Sequence, residues 1–125
     1  MSKVVLITGG SSGIGKSIGE FLAQKGFTVY GTSRSPERYP DSKIKLVTLD
    51  VSDVLSVEKA METVANEAGR LDVVINNAGA GITGPIEDIP NEEIKRNFET
   101  NLFGPINVIK AVLPQMRKQN SGLII

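Results

Sequence analysis

The chain has 125 residues, 40% of them hydrophobic and 22% charged, the composition of one ordinary globular core. Fourteen basic residues balance fourteen acidic ones, so neither a nucleic acid nor an anionic membrane finds electrostatic support. The lack of Cys and His excludes disulfides, thiol chemistry and the usual zinc sites, and with no basic leader and no bilayer-length apolar stretch the expectation is a soluble, cytoplasmic protein without a metal centre.

The first element is the apolar run Val4-Val5-Leu6-Ile7, which reads as a strand buried on both faces of a parallel sheet. It leads into Thr8-Gly9-Gly10-Ser11-Ser12-Gly13-Ile14-Gly15 and then a helix that begins near Ile14. Gly9 suits a tight turn, Gly13 a close approach of backbone to a pyrophosphate, and Gly15 close packing of helix on strand. Ser11 and Ser12 add hydroxyls, and the unpaired N–H groups of the first helical turn favour an anion. Gly-Gly and Ser-Gly pairs elsewhere mark ordinary turns; a buried strand before this one and an amphipathic helix after it make it a dinucleotide-binding turn. Ile18, Phe21, Leu22 and Ala23 recur at helical spacing within residues 17–25, and Gly26 supplies the stop.

Strands two, three and four are predicted at residues 28–33, 45–49 and 73–76. Helices are predicted near 56–68 and, after a loop with Gly and Pro, from about Asn91 towards Gln119, where Pro105 and Pro114 are expected to bend or break the helix. Residues 122–125 begin a fifth strand. Without repeats, low-complexity tracts or linkers, the alternation predicts one doubly wound α/β domain over residues 1–125 with right-handed crossovers.

The end of strand two chooses between nucleotides. An NAD site of this architecture places Asp or Glu about 20 residues beyond the glycine turn, to accept hydrogen bonds from the ribose hydroxyls. Here the segment is Tyr30-Gly31-Thr32-Ser33-Arg34-Ser35, with no acid. Arg34 offers a planar charged fork for a phosphate and Ser33 a hydroxyl donor, so NADP is preferred over NAD. The plainer reading makes Arg34 a solvated loop residue beside Glu37 and Arg38.

Four segments together resemble the N-terminal half of a short-chain dehydrogenase/reductase: the turn at residues 8–15, Leu49-Asp50-Val51 after strand three, Asn76-Asn77-Ala78-Gly79 after strand four, and Asn101-Leu102-Phe103-Gly104 in the long helix. The resemblance implies a Rossmann-type parallel sheet of about five strands, ordered 3-2-1-4-5 and flanked by helices. It assigns Gly9, Ser11, Ser12 and Ile14 to the ribose and phosphates, Asp50 and Val51 to the adenine, and Asn77, Ala78 and Gly79 to the inner ribose. Read from the residues alone, Asp50 could instead cap the next helix, and Asn76 and Asn77 could satisfy buried backbone groups. The structural role is favoured for Asn76 and the cofactor-lining one for Asn77.

The family transfers hydride at a nicotinamide, with a Tyr phenol as proton donor or acceptor, a Lys one helical turn later, a Ser orienting the substrate, and an Asn, matched by Asn101, in the proton relay. By the same resemblance the Ser, Tyr and Lys would lie past Ile125, so an incomplete domain is expected. Tyr39 and Lys43 have Tyr-x-x-x-Lys spacing, but Pro40, Asp41 and Ser42 between them read as a turn. Asn101 could instead mark a helix break or bond a neighbouring turn, but within the Asn101-Leu102-Phe103-Gly104 match the family role is favoured. The expected function is the NADP-binding half of a hydride-transferring oxidoreductase; the alternative is a module that folds and self-associates, binding nucleotide weakly or not at all. An uncovered strand-five edge predicts a homodimer or larger assembly through that side.

Overall fold

The structure is a computed structural model that describes residues 2–125. The apolar run Val4–Ile7 forms β1, with all four residues buried. It is the middle strand of a five-stranded sheet completed by β2 (Thr28–Ser33), β3 (Lys45–Thr48), β4 (Val73–Ile75) and β5 (Leu123–Ile124). The order is β3-β2-β1-β4-β5 and every pairing is parallel, as the resemblance implied. Leu6 sits opposite Tyr30 on one side and Val74 on the other. The chain moves outward from β1 to β3 in one direction and from β4 to β5 in the other, so the strand order reverses between β1 and β4, where such sheets open a crevice.

Alternate side chains of β1 supply two cores. Val4 and Leu6 pack with Tyr30, Val47 and Val74 beneath α2 (Val54–Ala68) and α4 (Gly104–Gln119), which contribute Val57, Val64, Val108, Val112 and Met116. Val5 and Ile7 pack with Val29 and Ile44 beneath Ile18 and Leu22 of α1 (Gly13–Gln24). Phe21, expected on that apolar face, is 57% exposed instead. The inward row of α1 runs through the buried Gly15 and Gly19, so the helix lies close on the sheet and turns Phe21 outward beneath the Lys25 ammonium, 5.4 Å from its ring centre.

Helix α2 starts at Val54 because Asp53 caps it, its Oδ1 accepting from the N–H groups of Leu55 (3.1 Å) and Ser56 (3.3 Å). Asp53→Ala is expected to lower stability by about 1 kcal/mol in urea denaturation, the usual worth of such a cap. At the other end Gly69, at φ +74°, closes the helix with its N–H on the Ala65 carbonyl. Strand β4 is then fixed at its start by Asp72, whose Oδ2 accepts from the N–H of Val4 (2.8 Å) and from Arg70 Nε (2.8 Å) while Oδ1 accepts from Arg70 Nη2 (2.6 Å). The Gln119 side chain behaves like a short strand beside Leu71, accepting from its N–H at 2.9 Å and donating to its carbonyl at 3.0 Å.

The long helix is divided, though not as expected. It runs as α3 (Asn91–Phe98), widens to a π-helical turn over Glu99–Phe103, and resumes as α4. In a regular helix the N–H of residue 105 would meet the carbonyl of Asn101; Pro105 has none, and the register widens just before it. Pro114, by contrast, lies within α4, which continues to Gln119. Pro114 and Lys110 are both exposed, so the carbonyl it deprives of a donor faces solvent, while Val112 and Met116 hold the helix to the core. Among the described residues no helix is long and apolar enough to cross a membrane, and no cluster of Asp and Glu is placed to hold a metal ion.

Candidate cofactor site

The carboxyl ends of β1, β2, β3 and β4 open together on a cavity of about 480 Å³. Its walls are the glycine turn (Gly9, Ser11, Ser12, Ile14), the end of β2 (Ser33, Arg34), the end of β3 (Asp50, Val51) and the loop after β4 (Asn77, Ala78, Gly79). Of the residues expected to bind cofactor, Gly13 and Gly15 alone are not on this lining; they shape the turn.

Two threonines build the turn. Thr32, 1% exposed, receives the N–H of Gly9 on its Oγ1 (3.2 Å) and the N–H of Gly10 on its carbonyl (3.0 Å), docking the turn on β2. Thr8, also 1% exposed, accepts on Oγ1 from the N–H groups of Asn77 (3.0 Å) and Ala78 (2.9 Å). Asn77 returns the link, its Nδ2 donating to the carbonyls of Thr8 (3.1 Å) and Gly9 (3.3 Å). Asn77 thus lines the cavity and satisfies buried backbone at once. Neither threonine was assigned a role by the sequence reading; the available signal was a hydroxyl residue placed inside or at the end of a buried apolar strand.

Gly9 (φ +68°) and Gly13 (φ +56°) both take the left-handed conformation that the turn requires. Nothing lies within 4 Å of where a Gly13 side chain would begin, so that stretch of backbone faces open space. Ser12 precedes α1 without a capping side-chain bond, which leaves the first N–H groups of the helix to an incoming anion.

Asp50 does not cap α2; Asp53 does. The Asp50 carboxylate instead accepts on Oδ1 from the N–H (3.0 Å) and hydroxyl (2.7 Å) of Ser52, closing a tight turn at the cavity edge. Val51 beside it is held by α4: Asn107 Nδ2 donates to its carbonyl at 3.0 Å, and a side chain at Gly104 would begin 2.6 Å from Val51 Cγ2. Asn76 has the structural role expected of it, with its N–H (2.8 Å) and Nδ2 (3.3 Å) both on the carbonyl of Ile125.

Asn101 is not on the cavity lining, although Thr100 is. Its side chain closes a two-way link to the loop after β4, Oδ1 accepting from the N–H of Ala80 (2.9 Å) and Nδ2 donating to the Ala80 carbonyl (2.6 Å), which Asn97 Nδ2 also reaches at 2.8 Å. The amide therefore does what the plainer reading described, marking a helix irregularity and bonding a neighbouring loop. Tyr39 and Lys43 are not on a helix: Tyr39 follows a 3-10 turn (Pro36–Arg38), and the N–H of Ser42 turns back to its carbonyl at 3.2 Å. Tyr39, Arg38 and Ser35 nevertheless reach the cavity, although the sequence reading gave none of them a role in the site.

The same arrangement exists in known proteins. A family model described as short chain dehydrogenase matches residues 3–125. A 3-ketodihydrosphingosine reductase of Bacteroides thetaiotaomicron is 46% identical over 123 residues, covering 98% of this chain and 45% of that protein. Among solved structures, a short-chain dehydrogenase from Streptomyces avermitilis superposes with a TM-score of 0.88 at 38% identity, covering 99% of this chain and 48% of the other. ElxO with NADP bound gives 0.86 at 31% identity, covering 99% and 54%. The chain spans about half the length of these relatives. Since the family match takes in every strand of the sheet and all four walls of the cavity, the chain belongs to the short-chain dehydrogenase/reductase family.

Proposed function

We propose that residues 1–125 form the NADP-binding part of an oxidoreductase that moves hydride between NADP(H) and a carbonyl or alcohol. The observation that carries this reading is Arg34, exposed at the cavity wall where an NAD site would have a ribose-binding acid. The residues fit the dinucleotide. Open space over Gly13 and the uncapped start of α1 suit the pyrophosphate, with Gly9, Ser11, Ser12, Ile14 and Gly15 shaping the turn around it. Arg34 and Ser33 would hold the 2′-phosphate, Asp50 and Val51 would flank the adenine, and Asn77, Ala78 and Gly79 would line the inner ribose. When bound, the nicotinamide supplies or accepts the hydride. The NADP found on ElxO, a relative of the same fold, supports the choice of nucleotide.

Tyr30 is not the group that would carry the proton in this transfer. Of the two tyrosines, Tyr30 is buried in β2, and burial, followed by the nearby Glu67 carboxylate, holds its phenol above the usual value. That is the opposite of a phenol poised for catalysis. Asn101 is the residue here proposed to join the relay; with its side chain on Ala80 and Pro105 unable to donate to its carbonyl, that carbonyl is the group it can offer.

Calorimetric titration with NADP and NAD tests the reading. NADP is expected to bind more tightly, and Arg34→Ala to reduce that preference at least tenfold, since hydrogen bonds to charged groups contribute about 1.5–3 kcal/mol. Equal affinity for both nucleotides, or a preference untouched by Arg34→Ala, would overturn it. A second reading, association of two copies through the β5 side, is favoured by Leu123 (53% exposed) on β5, a strand paired only to β4, and by Ile125 (63% exposed) directly after it. Light scattering is expected to give a dimer mass; a monomer at all concentrations would exclude it.

A further inference from the structure

Three glycines from three different elements meet around one methyl group, Cδ1 of Ile44. Gly10 of the turn lies so close on β2 that a side chain begun there would stand 2.7 Å from the Cα of Gly31 and 3.5 Å from that methyl. A side chain begun at Gly31 would stand 2.8 Å from it, and one begun at Gly19 of α1 2.7 Å from it. A single terminal methyl therefore fills the space that the missing side chains of turn, strand and helix leave between them.

Ile44 is buried with Val5, Ile7 and Val29, just before β3. The Ser42 hydroxyl fixes its backbone, donating to the Ile44 carbonyl at 2.8 Å and accepting from the Ile44 N–H at 3.4 Å. The polar anchors of the turn lie elsewhere: Thr32 takes the N–H groups of Gly9 and Gly10, and Asn77 donates to the carbonyls of Thr8 and Gly9. A backbone with glycine at positions 9, 10 and 13 has more freedom to lose than any other, and packing against Ile44 removes part of it before a ligand arrives.

We propose that Ile44 is a positioning residue for the dinucleotide: its terminal methyl, seated among Gly10, Gly19 and Gly31, holds the glycine turn in the shape that receives the pyrophosphate. The inference rests on the dinucleotide reading above, though not on the choice of NADP. With the methyl in place the N–H groups of the turn are ordered in advance; without it, part of that ordering falls on binding.

Ile44→Val deletes Cδ1 and nothing else. Gly19→Ala returns one methyl to the same space, where its remaining neighbours, Ile7 Cδ1 at 3.5 Å and Val29 Cγ1 at 3.6 Å, are at ordinary contact distance. The test compares the protein, both single variants and the double one by titration with NADP, NAD and adenosine 2′-monophosphate, which has no pyrophosphate, and by backbone NMR relaxation of the free proteins. Circular dichroism is expected to show an unchanged fold. Ile44→Val is expected to weaken NADP and NAD alike, about three- to tenfold, the usual local cost of deleting one buried methyl group, while the monophosphate changes less than about twofold. The order parameters of Gly9 and Gly10 are expected to fall from roughly 0.85, the value of rigid backbone, towards about 0.7, with β1 unchanged. Gly19→Ala alone crowds Ile44 against the turn and is expected to weaken both dinucleotides too, whereas the double variant recovers to within about twofold of the unsubstituted protein. Unchanged affinity for both dinucleotides in Ile44→Val overturns the lock, whatever the order parameters do, and leaves the dinucleotide reading standing. Weakening without a change at Gly9 and Gly10, equal weakening of the monophosphate, or a double variant no better than the worse single one also overturns it. If the unsubstituted protein binds neither NADP nor NAD, the reading and the lock fall together.

Discussion

Gly15→Ala is expected to abolish dinucleotide binding and to destabilise the fold by about 3 kcal/mol, combining overpacking with lost hydrogen bonds. The added Cβ would stand inside van der Waals contact of the Gly9 carbonyl oxygen and 2.5 Å from Asn77 Nδ2. Both obstacles are fixed. Gly9 is backbone in the cavity wall, and the Asn77 amide is engaged with the carbonyls of Thr8 and Gly9. Relief would require the turn to leave β1 or the loop after β4 to detach, and either movement removes a wall of the site. Gly13→Ala is the informative control, because nothing occupies the space around it and its cost comes only from φ +56°, about 1–2 kcal/mol. Urea denaturation of the two variants checks the account. A Gly15→Ala protein no less stable than Gly13→Ala would show that the close approach is not what holds the turn.

Asp72→Asn is expected to cost about 2–3 kcal/mol at pH 7, because it keeps the shape of the side chain but removes the charge that two partners address. Asp72 is 7% exposed, while the Arg70 side chain is 34% exposed; solvent at that end keeps the figure below the range for fully buried pairs. The Arg70 hydrogen bonds, aided by the N–H of Val4 and the charges of Arg70 and Lys3, outweigh burial and hold the carboxyl below its usual value. A carboxyl depressed in the folded state contributes stability that is fully present above its unfolded value, about pH 4, and lost as pH falls through the folded one. The unsubstituted protein is therefore expected to lose stability below about pH 4 more steeply than Asp72→Asn, and the gap between them to narrow. Glu67, lowered by its contact with Lys45, titrates in both proteins and leaves the variant a residual slope. A gap of constant size from pH 7 to pH 3 would exclude the charged pair as its source.

The strands were legible because each is a short apolar run between turn residues, and a buried parallel sheet needs nothing else of them. Strand two, residues 28–33, matches its expected bounds at both ends. Helix faces were harder to read. Phe21 has helical spacing with Ile18 and Leu22, yet the helix settles on its glycines and leaves the ring outside. The division of the long helix was attributed to two prolines; the widened turn stands next to Pro105, where the missing N–H coincides with the Asn101 link to Ala80, while Pro114 is absorbed on the solvent side.

By itself the sequence determined the strands and the glycine turn, because each of these is a local property of neighbouring residues: an apolar run between turn residues, and glycines where φ is positive. Only the tertiary structure decided that Thr8 holds the loop after β4 by bonds spanning 69 and 70 positions, and that Thr32 holds the glycine turn from 23 positions away. It also decided that Asp53 rather than Asp50 caps α2, and that Arg38 returns to the cavity. A hydroxyl or guanidinium has the same local signature in a solvated loop as in a site, and what distinguishes them is the partner that packing brings within hydrogen-bonding distance.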